Sequence, residues 1–163
     1  MNEITQEQKK QIYLDANVPS YYFDERESIA TLTAATRTWW DEQSDNYELF
    51  ISEVGYQELK RGNYEHQAEV LELISAITLL PWEPKIKEIS LVYVEQFVMP
   101  KSVAGDAGHL AYASYYDMDY LLTWNCKHLA NPNKEKHIQV VNKRLHLSTP
   151  QLVTPLELLN MEE

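Results

Sequence analysis

Four polar residues of this chain are placed where side chains can meet and bind a metal ion. Asp15 and Asn125 each follow an apolar run that is typical of a buried strand, and Glu58 and Asp106 lie in segments typical of a helix. Residues at strand ends and helix starts can converge at one edge of a sheet. Converged carboxylates bind hard divalent cations, and such cations can promote phosphodiester chemistry.

Each of these positions also has a purely structural interpretation. An Asp that ends a strand is often only a turn residue. Asp106 could simply cap its helix, and Glu58 could be an exposed helix residue. Glu53, which stands directly at the end of the second predicted strand, is the alternative to Glu58 as the acid from this segment.

The elements that must position these residues alternate between short strands and amphipathic helices. Helical spacing of apolar residues predicts helices over about 28–43 and 64–77, around Glu58, from Pro84, over 106–116 and from Thr154. The predicted strands are Ile12–Asp15, Leu49–Ser52, Thr78–Pro81, Tyr120–Thr123 and Ile138–Val141.

This alternation predicts a three-layer α/β/α fold with a central, mostly parallel sheet of about five strands. In such folds the site lies beyond the carboxyl ends of the strands. The length of 163 residues predicts a single domain over 1–163, with residues 1–10 as a flexible N-terminal tail.

The charge balance limits the kinds of partner. A formal net charge of -11 argues against binding nucleic acid over the whole surface, but it is compatible with a local metal-dependent nuclease site. It also suits a partner protein that is basic where it makes contact.

Other features indicate the compartment and exclude several chemistries. The polar N-terminus lacks a signal-peptide core and no run is long enough to span a membrane, so a cytoplasmic protein is expected. The single cysteine, Cys126, permits neither an internal disulfide nor a structural zinc site. No phosphate-binding glycine-rich loop and no Gly-x-Ser-x-Gly motif are present.

Four segments, in order, resemble the motifs of PIN-domain proteins of the kind found as toxins in VapBC-type toxin–antitoxin pairs. They are Ile12-Tyr13-Leu14-Asp15-Ala16-Asn17, the stretch from Ile51 to Gly62, Gly105-Asp106-Ala107-Gly108-His109-Leu110-Ala111, and Tyr120 to Leu129. The resemblance extends from residue 12 to about residue 131, and the tail Thr-Pro-Leu-Glu-Leu-Leu is also similar to the family.

The resemblance implies a Mg²⁺- or Mn²⁺-dependent ribonuclease that cleaves single-stranded RNA by a metal-activated water. It places Asp15, Glu58 and Asp106 as metal ligands. Asn125 falls where many members carry a fourth carboxylate and would complete the catalytic set as a neutral group. Asn17 and Thr123 match supporting polar positions that orient ligands or water.

Three further residues near these motifs have open roles. Lys127 and His128 follow Asn125 and are candidate RNA contacts, although a solvated turn is an equal alternative. His109 lies three residues after Asp106 and shares its helix face, so it is either a neighbour of the site or an ordinary core or surface histidine.

The resemblance also implies partners: a small antitoxin protein, basic at its contact with the site, and a second copy of the chain in a homodimer. The competing hypothesis is a PIN-like module that binds a protein or RNA without cleaving it, which the neutral Asn125 favours. A receiver-like fold is disfavoured because Asp15 is followed by Ala16 and Asn17 rather than by a second acid.

Overall fold

The computed structural model of the chain describes residues 8–100 and 104–161. Its centre is a five-stranded sheet in the order β3-β2-β1-β4-β5, and every neighbouring pair is parallel. The strands are β1 (Lys10–Leu14), β2 (Tyr47–Ser52), β3 (Thr78–Leu80), β4 (Tyr120–Leu122) and β5 (Gln151–Val153).

Helices follow the strands and cover both faces of the sheet. They are α1 (Asn17–Tyr22), α2 (Ala30–Gln43), α3 (Glu53–Lys60), α4 (Gln67–Leu73), α5 (Pro84–Glu95), α6 (Ala104–Tyr115), α7 (Pro132–Arg144) and α8 (Pro155–Met161). The predicted three-layer α/β/α fold with a parallel five-stranded sheet is therefore confirmed.

The two faces can be followed along β1, where successive side chains point to opposite sides. Tyr13 packs in a cluster with buried residues of α5, α6 and α7. Its neighbours Ile12 and Leu14 pack in a second cluster that includes Val18 of α1 and Trp39 of α2. Because β1 is buried on both faces, its sequence is a continuous hydrophobic run, as expected of a central parallel strand.

The strand order places a switch point beside β1. From β1 the chain builds outward to β2 and β3, then returns to the other side of β1 for β4 and β5. In sheets of this topology, a site is expected beyond the carboxyl ends of the strands at the switch point. Asp15 directly follows β1, and Thr123 directly follows β4.

One predicted strand is wrong. Residues 138–141 lie within α7, where Ile138 and Val141 are buried while Val140 is 44% exposed. This three-residue spacing is helical rather than alternating. The fifth strand is instead Gln151–Val153, whose three residues are too short to show a period.

The remaining boundaries shift by a few residues. The predicted tail over 1–10 falls outside the described residues as far as residue 7, but Lys10 is already the first residue of β1. The helix predicted over 64–77 is confined to Gln67–Leu73. Within 8–100 and 104–161, no helix is both long and apolar enough to cross a bilayer.

Candidate metal site

Three side chains from distant parts of the chain meet beyond the end of β1. His109 Nε2 lies 3.2 Å from Glu58 Oε1 and 3.5 Å from Asp15 Oδ1. Asp15 and His109 are almost fully buried, whereas the Glu58 side chain is 34% exposed. The group is therefore anchored in the core and opens to solvent on the side of Glu58.

Hydrogen bonds hold the Asp15 carboxylate in place. Thr123 Oγ1 donates to Asp15 Oδ2 at 2.8 Å, and the Asn17 backbone N–H approaches Oδ1 at 3.4 Å. The Asn17 side chain in turn donates to Thr123 Oγ1 at 3.4 Å and accepts from the Trp124 backbone N–H at 3.1 Å. Thr123 and Asn17 thus tie the end of β1 to the end of β4 and hold the Asp15 carboxylate.

Asp106 lies in the first turn of α6 and is buried. Its Oδ2 is inaccessible to solvent and has no hydrogen-bond partner within the described parts of the chain. Burial raises the pKa of Asp106; the Asn125 side chain opposes this shift by hydrogen bonding, and the charge of Asp15 adds to it. The helix dipole alone would favour the ionised acid, so burial and a second carboxylate outweigh it.

Asn125 supports Asp106 and the loop after β4. Its Oδ1 accepts the His128 backbone N–H at 3.0 Å, and its own backbone N–H donates to Thr123 Oγ1 at 2.9 Å. This leaves the amide NH₂ for the Asp106 carboxylate. Asn125 is thus held by the loop after β4, and its side chain lowers the pKa of Asp106 by hydrogen bonding.

Glu58, and not Glu53, joins Asp15. Glu53 is exposed and accepts the Trp82 backbone N–H at 3.3 Å beyond the end of β3. Glu58 instead lies over the start of α6, where a Cβ added at Gly105 would come within 3.3 Å of Glu58 Oε1. The glycine at position 105 therefore leaves room for the carboxylate.

The structure gives His109 a larger part than the sequence indicated. Its Nδ1 lies 2.5 Å from the Tyr13 hydroxyl, which also bonds to Ser52 Oγ at 2.7 Å. Ser52 caps α3 by accepting the Gly55 backbone N–H at 2.9 Å. The spacing of three residues from Asp106 was the only signal for His109, and nothing in the sequence singled out Tyr13 or Ser52.

This chain of contacts directs the Nε2 proton of His109 toward the carboxylates, because an unprotonated Nε2 would face two acceptors. Burial by itself would lower the pKa of His109. The charges of Asp15, Glu58 and Asp106 and the hydrogen bond to Glu58 outweigh burial and raise this pKa to about 9. The imidazolium therefore offsets part of the negative charge of the site.

The donor set fits a hard divalent cation. Asp15 and Glu58 each place a carboxylate oxygen in a group that also includes His109 Nε2 and whose atoms all lie within 4.8 Å of one another. The buried Asp106 Oδ2 adds a carboxylate oxygen that lacks a partner among the described residues, the kind of group that a cation satisfies. Carboxylate oxygens suit Mg²⁺ and Mn²⁺.

Of the two candidate RNA contacts, His128 lies close enough to Asp106 to affect it electrostatically. Lys127 is exposed and His128 is half-buried in the turn that follows Asn125. The charge of His128 lowers the pKa of Asp106, so its imidazole is within electrostatic reach of the buried acid.

Comparisons with known proteins show that the fold also occurs in a solved structure. No protein-family model matches the chain, and no curated protein is similar to it in sequence. Among solved structures, a chain of a "Toxin-antitoxin complex from Klebsiella pneumoniae" superposes with a TM-score of 0.57 at 18% identity. The match covers 76% of this chain and 93% of the other. At this identity the similarity concerns the fold.

Proposed function

We propose that the chain is a metal-dependent endoribonuclease of the PIN type, acting on single-stranded RNA as the toxin of a toxin–antitoxin pair. The observation that carries the proposal is the meeting of Asp15, Glu58 and His109 beyond β1, with the buried Asp106 Oδ2, unpartnered among the described residues, within electrostatic reach of Asp15. The motif resemblance supports it, as does the fold shared with a chain from a toxin–antitoxin complex.

Each residue of the site has its own role in this proposal. Asp15, Glu58 and Asp106 would hold Mg²⁺ or Mn²⁺, and the bound cation would supply an activated water and stabilisation of charge on the phosphate. Thr123 fixes the Asp15 oxygen at 2.8 Å, and Asn125 orients Asp106. His109 holds Glu58 through Nε2 and is itself oriented by Tyr13. Ligands preorganised in this way lose little mobility when a cation or substrate binds.

The test is cleavage of a mixed single-stranded RNA pool in Mg²⁺ or Mn²⁺ by the wild type beside Asp15→Asn and Asp106→Asn. These substitutions keep the side-chain shape and remove the charge. We expect activity that a chelator abolishes and that each variant reduces by at least about 100-fold. Identical preparations and an exposed-site control, Glu135→Gln in α7, guard against contaminating ribonucleases.

Full metal-dependent cleavage by both variants would refute this assignment of the acids. Absence of cleavage by the wild type, with Mn²⁺ bound, would instead favour a module that binds RNA or protein without cleaving it. The contact of His109 with both Asp15 and Glu58 favours this second function, because the histidine already offsets charge that a cation would neutralise.

The partners are part of the same proposal. An antitoxin with a basic segment would complement the carboxylates and the net charge of -11. We also propose a homodimer. Light scattering over a wide concentration range tests the dimer, and a constant monomer mass would rule it out. Growth inhibition on expression, relieved by co-expression of the product of a neighbouring gene, tests the antitoxin.

A further inference from the structure

A groove lies beside the candidate metal site, between the end of α5 and the start of α7. Its volume is about 500 Å³. Four of its eight lining residues are apolar, including Phe97, Met99 and Pro100; Asn131 is polar, and Lys127, His128 and Lys134 are basic. We refer to this groove as the basic groove.

The basic groove adjoins the buried acid of the metal site. The backbone of His128 is bonded to the Asn125 side chain, which supports Asp106. Burial lowers the pKa of Lys134, and the charge of Asp106 partly opposes this shift. Asp106 is thus within electrostatic reach of both His128 and Lys134, so a strand lying in the groove would lie near this acid.

The charge of the groove contrasts with that of the chain. The sequence has 25 acidic and 14 basic residues other than histidine, yet no carboxylate is found among the described residues that line the groove. A local basic surface on an acidic protein favours a polyanion at that place.

Phe97 has a backbone conformation that its side chain does not favour. It follows α5 with a φ of 60°. Its N–H bonds to Val94 O at 3.2 Å, and the Val98 N–H bonds to Tyr93 O at 2.8 Å. These two bonds form the Schellman motif, in which the left-handed position is usually glycine. A bulky residue with positive φ is strained, and such strain often marks function.

Two other helices end in the same way and provide a comparison. Asp117 after α6 and His146 after α7 have φ values of 56° and 60° with equivalent hydrogen bonds. Asp and His tolerate the left-handed region better than most residues. Phe97 lacks this tolerance and is 86% exposed, so neither backbone preference nor core packing accounts for a phenylalanine there.

We propose that the basic groove binds single-stranded RNA, with the Phe97 ring stacking on a base and Lys127, His128 and Lys134 contacting phosphates. The proposal rests on the proposed ribonuclease function and defines where its substrate lies. Paired aromatic and basic groups are the usual means of holding single strands. RNA is favoured over a basic antitoxin segment because three basic side chains line the groove.

The first test measures binding of a short fluorescein-labelled single-stranded RNA by fluorescence anisotropy, in an Asp15→Asn background that prevents cleavage. Phe97→Gly should weaken binding about 5- to 100-fold by removing the stacking surface. Phe97→Trp should retain binding. The melting temperature of Phe97→Gly should equal or exceed that of its parent, because glycine suits the left-handed position.

The matched control is His146→Gly. It makes the same change in an equivalent helix-ending motif, at the far end of α7 from Lys134. RNA affinity should be unaffected. Equal affinities for Phe97→Gly and its parent would overturn the proposal. So would a finding that Phe97→Gly loses only a copurifying protein partner, which would assign the ring to protein binding.

The second test separates charge from stacking. For single strands, the salt dependence of binding reports about 0.7 counterions per phosphate contact. The double variant Lys127→Gln/Lys134→Gln should reduce the slope of log K against log salt by about 1.4, whereas Phe97→Gly should leave it unchanged. Lys143→Gln, an exposed lysine near the other end of α7, is the control. An unchanged slope for the double variant would refute the phosphate contacts.

The two proposals can fail separately. Cleavage by the wild type, with no loss of RNA affinity in Phe97→Gly, would refute RNA binding in the basic groove and leave the ribonuclease proposal standing. RNA binding that depends on Phe97, without cleavage in Mg²⁺ or Mn²⁺, would support the groove as the RNA site and would indicate a non-catalytic RNA-binding protein.

Discussion

At the scale of single residues, the site is built around a buried histidine that contacts two acids. His109 Nε2 is within 3.5 Å of both Asp15 and Glu58, and its Nδ1 is held by the Tyr13 hydroxyl. Without a cation between them, two carboxylates this close would repel each other in a poorly solvated place. A protonated histidine relieves that repulsion, so His109 should stabilise the metal-free fold.

The pH dependence of stability tests this role. The pKa of His109 is raised to about 9 in the folded chain, against about 6.5 when unfolded. Between these values the folded state binds the extra proton, so the stabilisation is complete below pH 6.5 and is lost as pH rises through 9. We expect the stability of the wild type relative to His109→Gln to fall across this window, by at most about 1.4 kcal/mol per pH unit.

Urea unfolding of both proteins at several pH values, with chelator present, measures the difference. His137→Gln on α7 serves as a control because His137 is exposed. Parallel stability curves for the wild type and His109→Gln would show that the buried imidazole carries no extra proton in the folded state.

At the scale of elements, α6 contains two glycines whose surroundings differ. A Cβ at Gly105 would come within 3.3 Å of Glu58 Oε1, whereas one at Gly108 would meet no atom within 4 Å. The two positions lie three residues apart in the same helix, yet only one of them faces a site residue. They therefore form a matched pair.

We predict opposite outcomes for alanine at these positions. Gly108→Ala should stabilise the protein by about 0.5–1 kcal/mol, through the better helix propensity of alanine, and leave Mn²⁺ affinity unchanged. Gly105→Ala should displace the Glu58 carboxylate by a few tenths of an ångström and weaken Mn²⁺ binding several-fold. Urea unfolding and calorimetric titration with Mn²⁺ measure the two quantities. Equal Mn²⁺ affinities in both variants would argue against Glu58 as a ligand.

The elements also show what the sequence could predict. Strands β1 to β4 were recognisable because their apolar runs are bounded by polar or turn residues, and α5 because Pro84 marks its first turn. Thr154 was recognisable as the cap of α8, where it exchanges hydrogen bonds with Glu157. The short apolar run in α7 was ambiguous, since only burial distinguishes a helical from a strand period there.

The site was less predictable than the fold. Motif order drew attention to Asp15, Glu58 and Asp106, but the contact of His109 with two of them depends on how α3 and α6 pack. The link from Tyr13 to Ser52 joins adjacent strands at 2.7 Å, and pairing of this kind cannot be read from either strand alone. Phe97 became noticeable only through its φ angle and its exposure.

At the scale of the whole molecule, repulsion between negative charges destabilises the folded state. It arises both from the excess of acidic residues and from the carboxylates of the metal site. A net charge of -11 produces self-repulsion in the compact chain, and any salt screens it. A cation held by Asp15, Glu58 and Asp106 would further stabilise the folded state, because a ligand that binds only that state shifts the unfolding equilibrium toward it by mass action.

Thermal unfolding can separate screening from specific binding. At equal ionic strength, MgCl₂ or MnCl₂ should raise the melting temperature of the wild type more than NaCl does. A cation at 100 times its Kd contributes about 2.7 kcal/mol, or roughly 5–11 °C for a domain of this size. Asp15→Asn and Asp106→Asn should lose this excess and keep the NaCl response, whereas Glu135→Gln should retain both. If divalent and monovalent salts act alike on the wild type at matched ionic strength, the converged carboxylates do not bind a cation, and the metal-dependent mechanism fails with them.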